Sequence, residues 1–207
     1  MATSKDPNII SLLDKAPGEI RRTKDESELI HACFTGNTST VKRLCEIGTA
    51  VDMETARGTP PLFHAIRRGY TGIVRELLKH GAPVSPGYPN HRYYDAVTTA
   101  VDCRHVKILR VLLDAEVPYN QELALLCTIH NKDIDSMVLL HPDPNMRYTN
   151  GRTALHLAAR YGFLEGVAIL AGTGASLSQD DAGMTPMDYA REQGHNNTLA
   201  LLESLFL

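Results

Sequence analysis

The stretch from Gly151 to Leu170, GRTALHLAARYGFLEGVAIL, returns in altered form along most of the chain. Aligned on the leucine of Thr-Ala-Leu-His, the anchors are Leu29, Leu62, Val97, Leu123, Leu155 and Met187, separated by 33, 35, 26, 32 and 32 residues. Self-similarity at this period constrains the fold more than composition does. Each unit is too small to bury an apolar face alone, so neighbours must stack to build a core. Three residues past each anchor stands a small or apolar residue: Ala32, Ala65, Ala100, Leu126, Ala158 and Ala190. Seven residues past it, four units carry a glycine: Gly36, Gly69, Gly162 and Gly194. Arg104 and His130 hold that place in the third and fourth units. Glycine there suits a left-handed turn that ends one helix before the next begins. Gly48, Gly81 and Gly174 do the same for a second helix.

Between those turns the apolar residues fall at helical spacing, as in Val41, Leu44 and Cys45, or Ile73, Val74, Leu77 and Leu78. Ile108, Leu109, Leu112 and Leu113 repeat the pattern, as do Val167 and Leu170. Each unit therefore reads as a short helix, a tight turn, a longer helix and a loop. None of these helices is long enough to be stable alone. The third and fourth units lack the turn glycines, and their junction at residues 116–120 is too short for a full hairpin, so they are expected to be the weakest.

The units GRTALHLAARYGFLEGVAILAGTGASL, GTPPLFHAIRRGYTGIVRELLKHGAPV and GMTPMDYAREQGH resemble the ankyrin repeat, with its TPLH start and central glycine. The resemblance covers about residues 26–207. It implies an all-α solenoid of about six helix-turn-helix units with hairpin loops, near 26–55, 56–90, 91–118, 119–148, 149–180 and 181–207. Residues 1–25 precede the array. Ile9, Ile10, Leu12 and Leu13 suggest a short helix there that caps the first unit, with a partner-docking helix as the alternative. The resemblance also implies that Thr153 and His156 form an internal hydrogen bond, which makes that histidine structural. It implies a concave face of first helices and hairpins that binds a protein.

On that face the resemblance places Arg67 and Arg68 at the end of the second unit's first helix, and Arg160 and Tyr161 at the equivalent place in the fifth. The same positions elsewhere hold Phe34 and Thr35, Asp102 and Cys103, Thr128 and Ile129, and Glu192 and Gln193. The hairpins add Arg57, Arg92, Tyr94 and Arg152. Arginine and tyrosine are enriched at binding hot spots, and guanidinium groups favour carboxylates and phosphates. The expected function is a non-catalytic interaction scaffold whose basic, aromatic-containing groove takes an acidic or phosphorylated protein. The plain alternative for these charges is an ordinary solvated face.

The loop Ser85–Tyr94, SPGYPNHRYY, is the longest and most aromatic connection. It reads as packing over the third unit or as a wall of a ligand site. His91, Tyr93, Tyr94 and Asp102, with Arg160, form the best set for proton transfer. They support a second reading as a small-molecule binder or biosynthetic enzyme. That reading is disfavoured, because an open groove admits water and weakens electrostatic catalysis.

Nine histidines invite a metal reading, but Cys103 and His105 diverge on a helix and no ligand motif appears. No metal or cofactor is expected. The four cysteines include no CxxC pair, which favours a reduced compartment. A net charge of −3 gives no global reason to expect nucleic acid as a partner. No apolar run approaches the ~20 residues of a membrane helix, and the N-terminus lacks the apolar core of a signal peptide. These features lead us to expect a cytoplasmic or nuclear monomer.

Overall fold

The computed structural model describes residues 23–53, 59–85 and 95–207. Twelve helices and no strand occur among them. In chain order they are α1 (Lys24–Thr35), α2 (Thr38–Glu46), α3 (Pro61–Arg67), α4 (Thr71–Lys79), α5 (Ala96–Asp102) and α6 (Val106–Asp114). They continue as α7 (Gln121–Asn131), α8 (Ile134–Leu140), α9 (Ala154–Arg160), α10 (Leu164–Gly172), α11 (Pro186–Glu192) and α12 (Asn196–Phe206). A single 3₁₀ turn, Thr149–Gly151, precedes α9. No described helix is long and apolar enough to cross a membrane. The expected capping helix around Ile9–Leu13, together with Arg57 and the Pro86–Tyr94 part of the aromatic loop, lies outside the described residues.

The chain divides into two compact units, Met1–Pro118 and Tyr119–Leu207. In the first, α1, α3 and α5 pack in one row and α2, α4 and α6 in another, each helix touching its pair partner across the rows. The second unit does the same with α7, α9 and α11 against α8, α10 and α12. Most first helices are seven residues long, far too short to persist alone. Their stability comes from packing: Leu62, Ala65 and Ile66 in α3 and Leu155 and Ala158 in α9 are completely buried. Small residues let the first-helix row approach closely.

Two devices fix where the helices begin and turn. Side-chain caps start many of them: Thr23 and Glu26 form a reciprocal capping box on α1, and Thr185 and Asp188 do so on α11. Each such cap satisfies otherwise orphaned N–H groups and contributes about 1 kcal/mol. Left-handed residues end the helices. Gly162 has φ +61°, and a Cβ there would sit 2.7 Å from the His195 ring. His195, the residue after the next repeat's turn, reaches back and donates from Nε2 to the Arg160 carbonyl at 3.1 Å. His105 does the same to Gly69 and the Arg67 carbonyl, at 3.3 Å. The turn glycine thus answers both to its own backbone and to the neighbouring repeat.

Without glycine, the third and fourth repeats adopt the same backbone with side-chain-bearing residues. Arg104 takes φ 56°, Glu116 φ 50° and Lys132 φ 51°. The last of these corrects the register expected for the fourth unit. Its turn falls at Lys132, not His130, because α7 runs eleven residues from its Asn120 cap. The equivalent of Leu155 is therefore Leu125, which is buried, and not the partly exposed Leu123. Thr128 and Ile129, expected on the groove, are completely buried. Thr128 turns its hydroxyl back to the Ala124 carbonyl at 2.8 Å. His130 and Asn131 occupy the first-helix end instead.

Candidate functional site

In the N-terminal unit, the ends of α1, α3 and α5 carry Phe34, Arg67 with Arg68, and Asp102 with Cys103. The Arg68 guanidinium sits 4.2 Å from the centre of the Phe34 ring, a cation–π contact across two repeats. The edge of His64 meets the same ring at 5.9 Å. Burial, and then the charges of Arg67 and Arg68, push the His64 pKa down to about 4, so it is neutral near pH 7. His64 Nε2 and His31 Nδ1, at matching places on α3 and α1, are buried without a hydrogen-bond partner. Arg67 and Arg68 are exposed. Among the described residues neither has a carboxylate at ion-pair distance, whereas Lys42, Arg43 and Lys79 of the same unit do.

Near Arg67 lies Cys103, half-buried. Its thiol pKa is raised by burial and by Asp102, with Arg67 opposing. It is therefore a poor nucleophile. Cys33 and Cys45 are buried, and burial pushes the Cys33 thiol up to about 12.

In the C-terminal unit, Arg160 and Tyr161 end α9, and both are exposed. Tyr161 is 37% exposed and meets the His130 ring edge-on at 5.8 Å. An aromatic contact between neighbouring repeats thus recurs at this position in each unit. Arg152, expected on the groove from its hairpin, is partly exposed, and its Nε is buried without a hydrogen-bond partner. Arg152 and Arg160 both lie near enough to Tyr189 to oppose the rise of its phenol pKa. That rise is caused chiefly by the hydrogen bond to Asp180 and then by burial. The Tyr189 hydroxyl donates to Asp180 at 2.7 Å, and Asp180 also accepts from the backbone of Ala182 and Met184. Of the residues expected on the groove, the structure brings Arg67 and Arg68 together in one unit, and Arg152, Arg160 and Tyr161 in the other. Arg57, Arg92 and Tyr94 lie outside the described residues.

His156 is completely buried in the frame beneath this surface. The Thr153 backbone N–H donates to its Nδ1 at 3.1 Å, and its Nε2 donates to the Met184 carbonyl at 3.1 Å. Those bonds assign the tautomer, and burial lowers the pKa, with the Met184 bond opposing it. The described histidines His105, His156 and His195 thus tie repeats together through backbone carbonyls. No group of three or more His, Cys, Asp or Glu placed to hold a metal occurs among the described residues. What the first-helix ends offer chemically is exposed guanidinium groups beside aromatic rings.

Comparison with known proteins agrees with this geometry. A family model described as ankyrin repeats (three copies) matches residues 1–86, 29–123 and 123–204. An ankyrin repeat-containing protein of Treponema pallidum (strain Nichols) is 28% identical over 167 residues, which are 80% of this chain and 47% of that protein. A cyclin-dependent kinase inhibitor 2A of Monodelphis domestica is 30% identical over 145 residues, 70% of this chain and 69% of its own length. The chain spans about half of the Treponema relative and only 19% of a potassium channel of Arabidopsis thaliana that it also matches. Among solved structures, the ankyrin repeat protein EF0377 superposes with a TM-score of 0.72 at 23% identity, covering 87% of this chain and 98% of that one. A chain from the complex of the Bdellovibrio bacteriovorus endopeptidase Bd0816 with immunity protein Bd3460 gives 0.68 at 23% identity, covering 89% and 99%. With the stacked helix pairs, the glycine turns and the Thr153–His156 lock already in place, the chain belongs to the ankyrin repeat family.

Proposed function

We propose that this protein is a non-catalytic interaction scaffold whose first-helix ends bind an acidic or phosphorylated protein partner. The observation that carries the reading is Arg68. Its guanidinium is oriented by the Phe34 ring, exposed, and not neutralised by any described carboxylate. The scaffold does not require arginine there, since other repeats place Thr35, Cys103 or Gln193 at equivalent sites. Arg67 and Arg68 in one unit, and Arg160 with Tyr161 in the other, are the proposed principal contacts, with Arg152 in support. A guanidinium held over an aromatic face has given up rotamer freedom before binding, which lowers the ordering cost of a carboxylate or phosphate contact. The family's proteins are generally interaction scaffolds, and the Cys33, Cys45 and Cys103 thiols, all raised in pKa, supply no activated nucleophile.

The test is affinity capture from cell extract with wild type beside Arg67→Glu/Arg68→Glu, read by mass spectrometry at low and high salt. The double variant is expected to lose the salt-sensitive partner, with helical content unchanged. Removing one partner of a fully desolvated pair costs about 2–5 kcal/mol of binding, and of a rim pair much less. Retention of every wild-type partner by the double variant refutes the reading.

A further inference from the structure

The outer faces of the second helices differ sharply between the two units. Helices α2, α4 and α6 carry six bases and three acids, a net charge of +3. Helices α8, α10 and α12 carry three acids, Asp135, Glu165 and Glu203, and no base at all, a net charge of −3. The contrast is sharpest six residues past each turn. That position holds the exposed bases Lys42, Arg75 and Arg110 in the N-terminal unit, but Val138, Ala168 and Ala200 in the C-terminal unit, all exposed as well. Two residues past the turn, the C-terminal unit adds Ile134 and Leu164. Ile134, Val138 and Leu164 are 43%, 48% and 37% exposed.

Ile134 and Val138 are one helical turn apart, so they share a face of α8. Leu164 and Ala168 occupy the same two places on α10, which packs directly against α8. The result is an apolar strip running across two repeats, bordered at equivalent positions by Asp135 and Glu165. Packing inside the unit does not explain it, because the side chains that build the core (Met137, Val167 and Leu170) point the other way and are buried. Contiguous exposed apolar surface with a polar rim marks an interaction site.

We propose that this strip is a second binding face, distinct from the first-helix ends, that receives a basic amphipathic helix. An amphipathic helix presents apolar residues at three- and four-residue spacing, which suits a narrow strip crossing two helices. Lysines or arginines flanking that apolar edge meet Asp135 and Glu165. The acidic border opposes an anionic membrane surface, which calls for cations. It also opposes the acidic partner proposed for the first-helix ends. A second copy of this chain offers a basic second-helix row, but that row exposes Lys42, Arg75 and Arg110 and would leave Ile134 and Val138 uncovered.

The experiment uses three labelled synthetic peptides of sixteen residues, read by fluorescence anisotropy with the full chain. One is a leucine/lysine helix with its leucines on one face, one has the same composition scrambled, and one replaces lysine by glutamate. The first is expected to bind with salt-sensitive affinity, and the other two at least ~10-fold more weakly. Val138→Arg/Ala168→Arg places on the strip the residue type that α4 and α6 already tolerate, and is expected to weaken the first peptide ~10-fold or more. Asp135→Lys/Glu165→Lys, on exposed positions, is expected to do the same without touching the apolar strip, and decides the matter if the arginine pair lowers the melting temperature. Arg67→Glu/Arg68→Glu leaves this binding unchanged, which separates the two faces. Equal binding of the scrambled peptide, or indifference to both double variants, overturns the proposal. So does a wild-type dimer in sedimentation that Val138→Arg/Ala168→Arg dissolves, because the occupant is then a second copy.

Discussion

Turn residues in this array are ready for a three-way comparison, because the structure separates the two reasons for glycine. Glu116, Gly81 and Gly162 all have positive φ, at 50°, 77° and 61°. A Cβ at Gly81 meets nothing within 4 Å, whereas one at Gly162 meets the His195 ring at 2.7 Å. Left-handed backbone costs an ordinary residue about 1–2 kcal/mol, and glycine costs about 0.4–1 kcal/mol through the freer unfolded chain. Gly81→Ala should therefore lose about 1 kcal/mol. Glu116→Gly reverses the same sum and should gain about 0.5–1 kcal/mol. Gly162→Ala carries the Gly81 cost and must also displace His195 from the Arg160 carbonyl. Losing a net hydrogen bond of about 1 kcal/mol, with repacking, brings the total to roughly 2–3 kcal/mol. Urea titration followed by circular dichroism reads all three, with His195→Ala as the background that removes the contact. In that background, Gly162→Ala should cost no more than Gly81→Ala. If Gly162→Ala is as mild as Gly81→Ala in the wild type, the neighbouring repeat does not hold the turn. If Glu116→Gly fails to stabilise, the left-handed argument is wrong.

Acid should weaken the N-terminal unit through His64. Its pKa is lowered to about 4 in the fold against 6.5 unfolded, so the unfolded chain binds the proton first. The penalty is absent above pH 6.5, grows as pH falls, and is complete below 4. At pH 5 it amounts to roughly 1–2 kcal/mol after discounting for partial exposure. His64→Leu should abolish that part of the pH dependence in urea titrations at pH 7 and 5, and an unchanged slope would contradict the burial argument. Hydrogen exchange should be faster in α5–α8 than in α9 and α10, because Arg104, Glu116 and Lys132 hold turns that glycine holds elsewhere. Uniform protection along the chain would speak against it.

The period of the repeat made the fold legible, since only stacked helix pairs satisfy it. His156 was legible for the same reason: its partner Thr153 is part of the motif. The fourth unit was not, and the cause is local. Leu123, Leu125 and Leu126 all offer a plausible anchor, and no glycine marks the turn. A two-residue shift therefore put Thr128 and Ile129 on the surface when the long α7 buries them. Arg68 and Phe34 could each be placed at a first-helix end. The stacking between them depends on the separation of neighbouring repeats, which the sequence does not state. The polarity of the second-helix row was readable all along, in the absence of lysine and arginine from α8, α10 and α12. It goes unnoticed when each helix is judged alone, because Ile134 or Val138 on one amphipathic helix is unremarkable.

A repeat array acquires function at positions that packing leaves free to vary. Positions that face the neighbouring repeat are fixed by packing: Gly162 by His195, Gly69 by His105, and Ala158 by its complete burial. Change there is felt as stability. The outer second-helix faces carry no such duty, as the range from Lys42 to Ala200 at one structural position demonstrates, and side chains at the first-helix ends vary as widely, from Thr35 to Arg68 to Gln193. Residues at those places are free to be selected for contact, and a departure shared by consecutive repeats is stronger evidence than any single side chain. Phe34 with Arg68 is a pairing of two consecutive repeats, cationic and aromatic. Ile134 and Val138 with Leu164 and Ala168 is another, apolar with an acidic border. The two proposed contact surfaces differ in chemistry, cationic at Arg67 and Arg68 and apolar with an acidic border at Ile134 to Glu165, so the Leu/Lys peptide should not compete for a partner captured through Arg67 and Arg68.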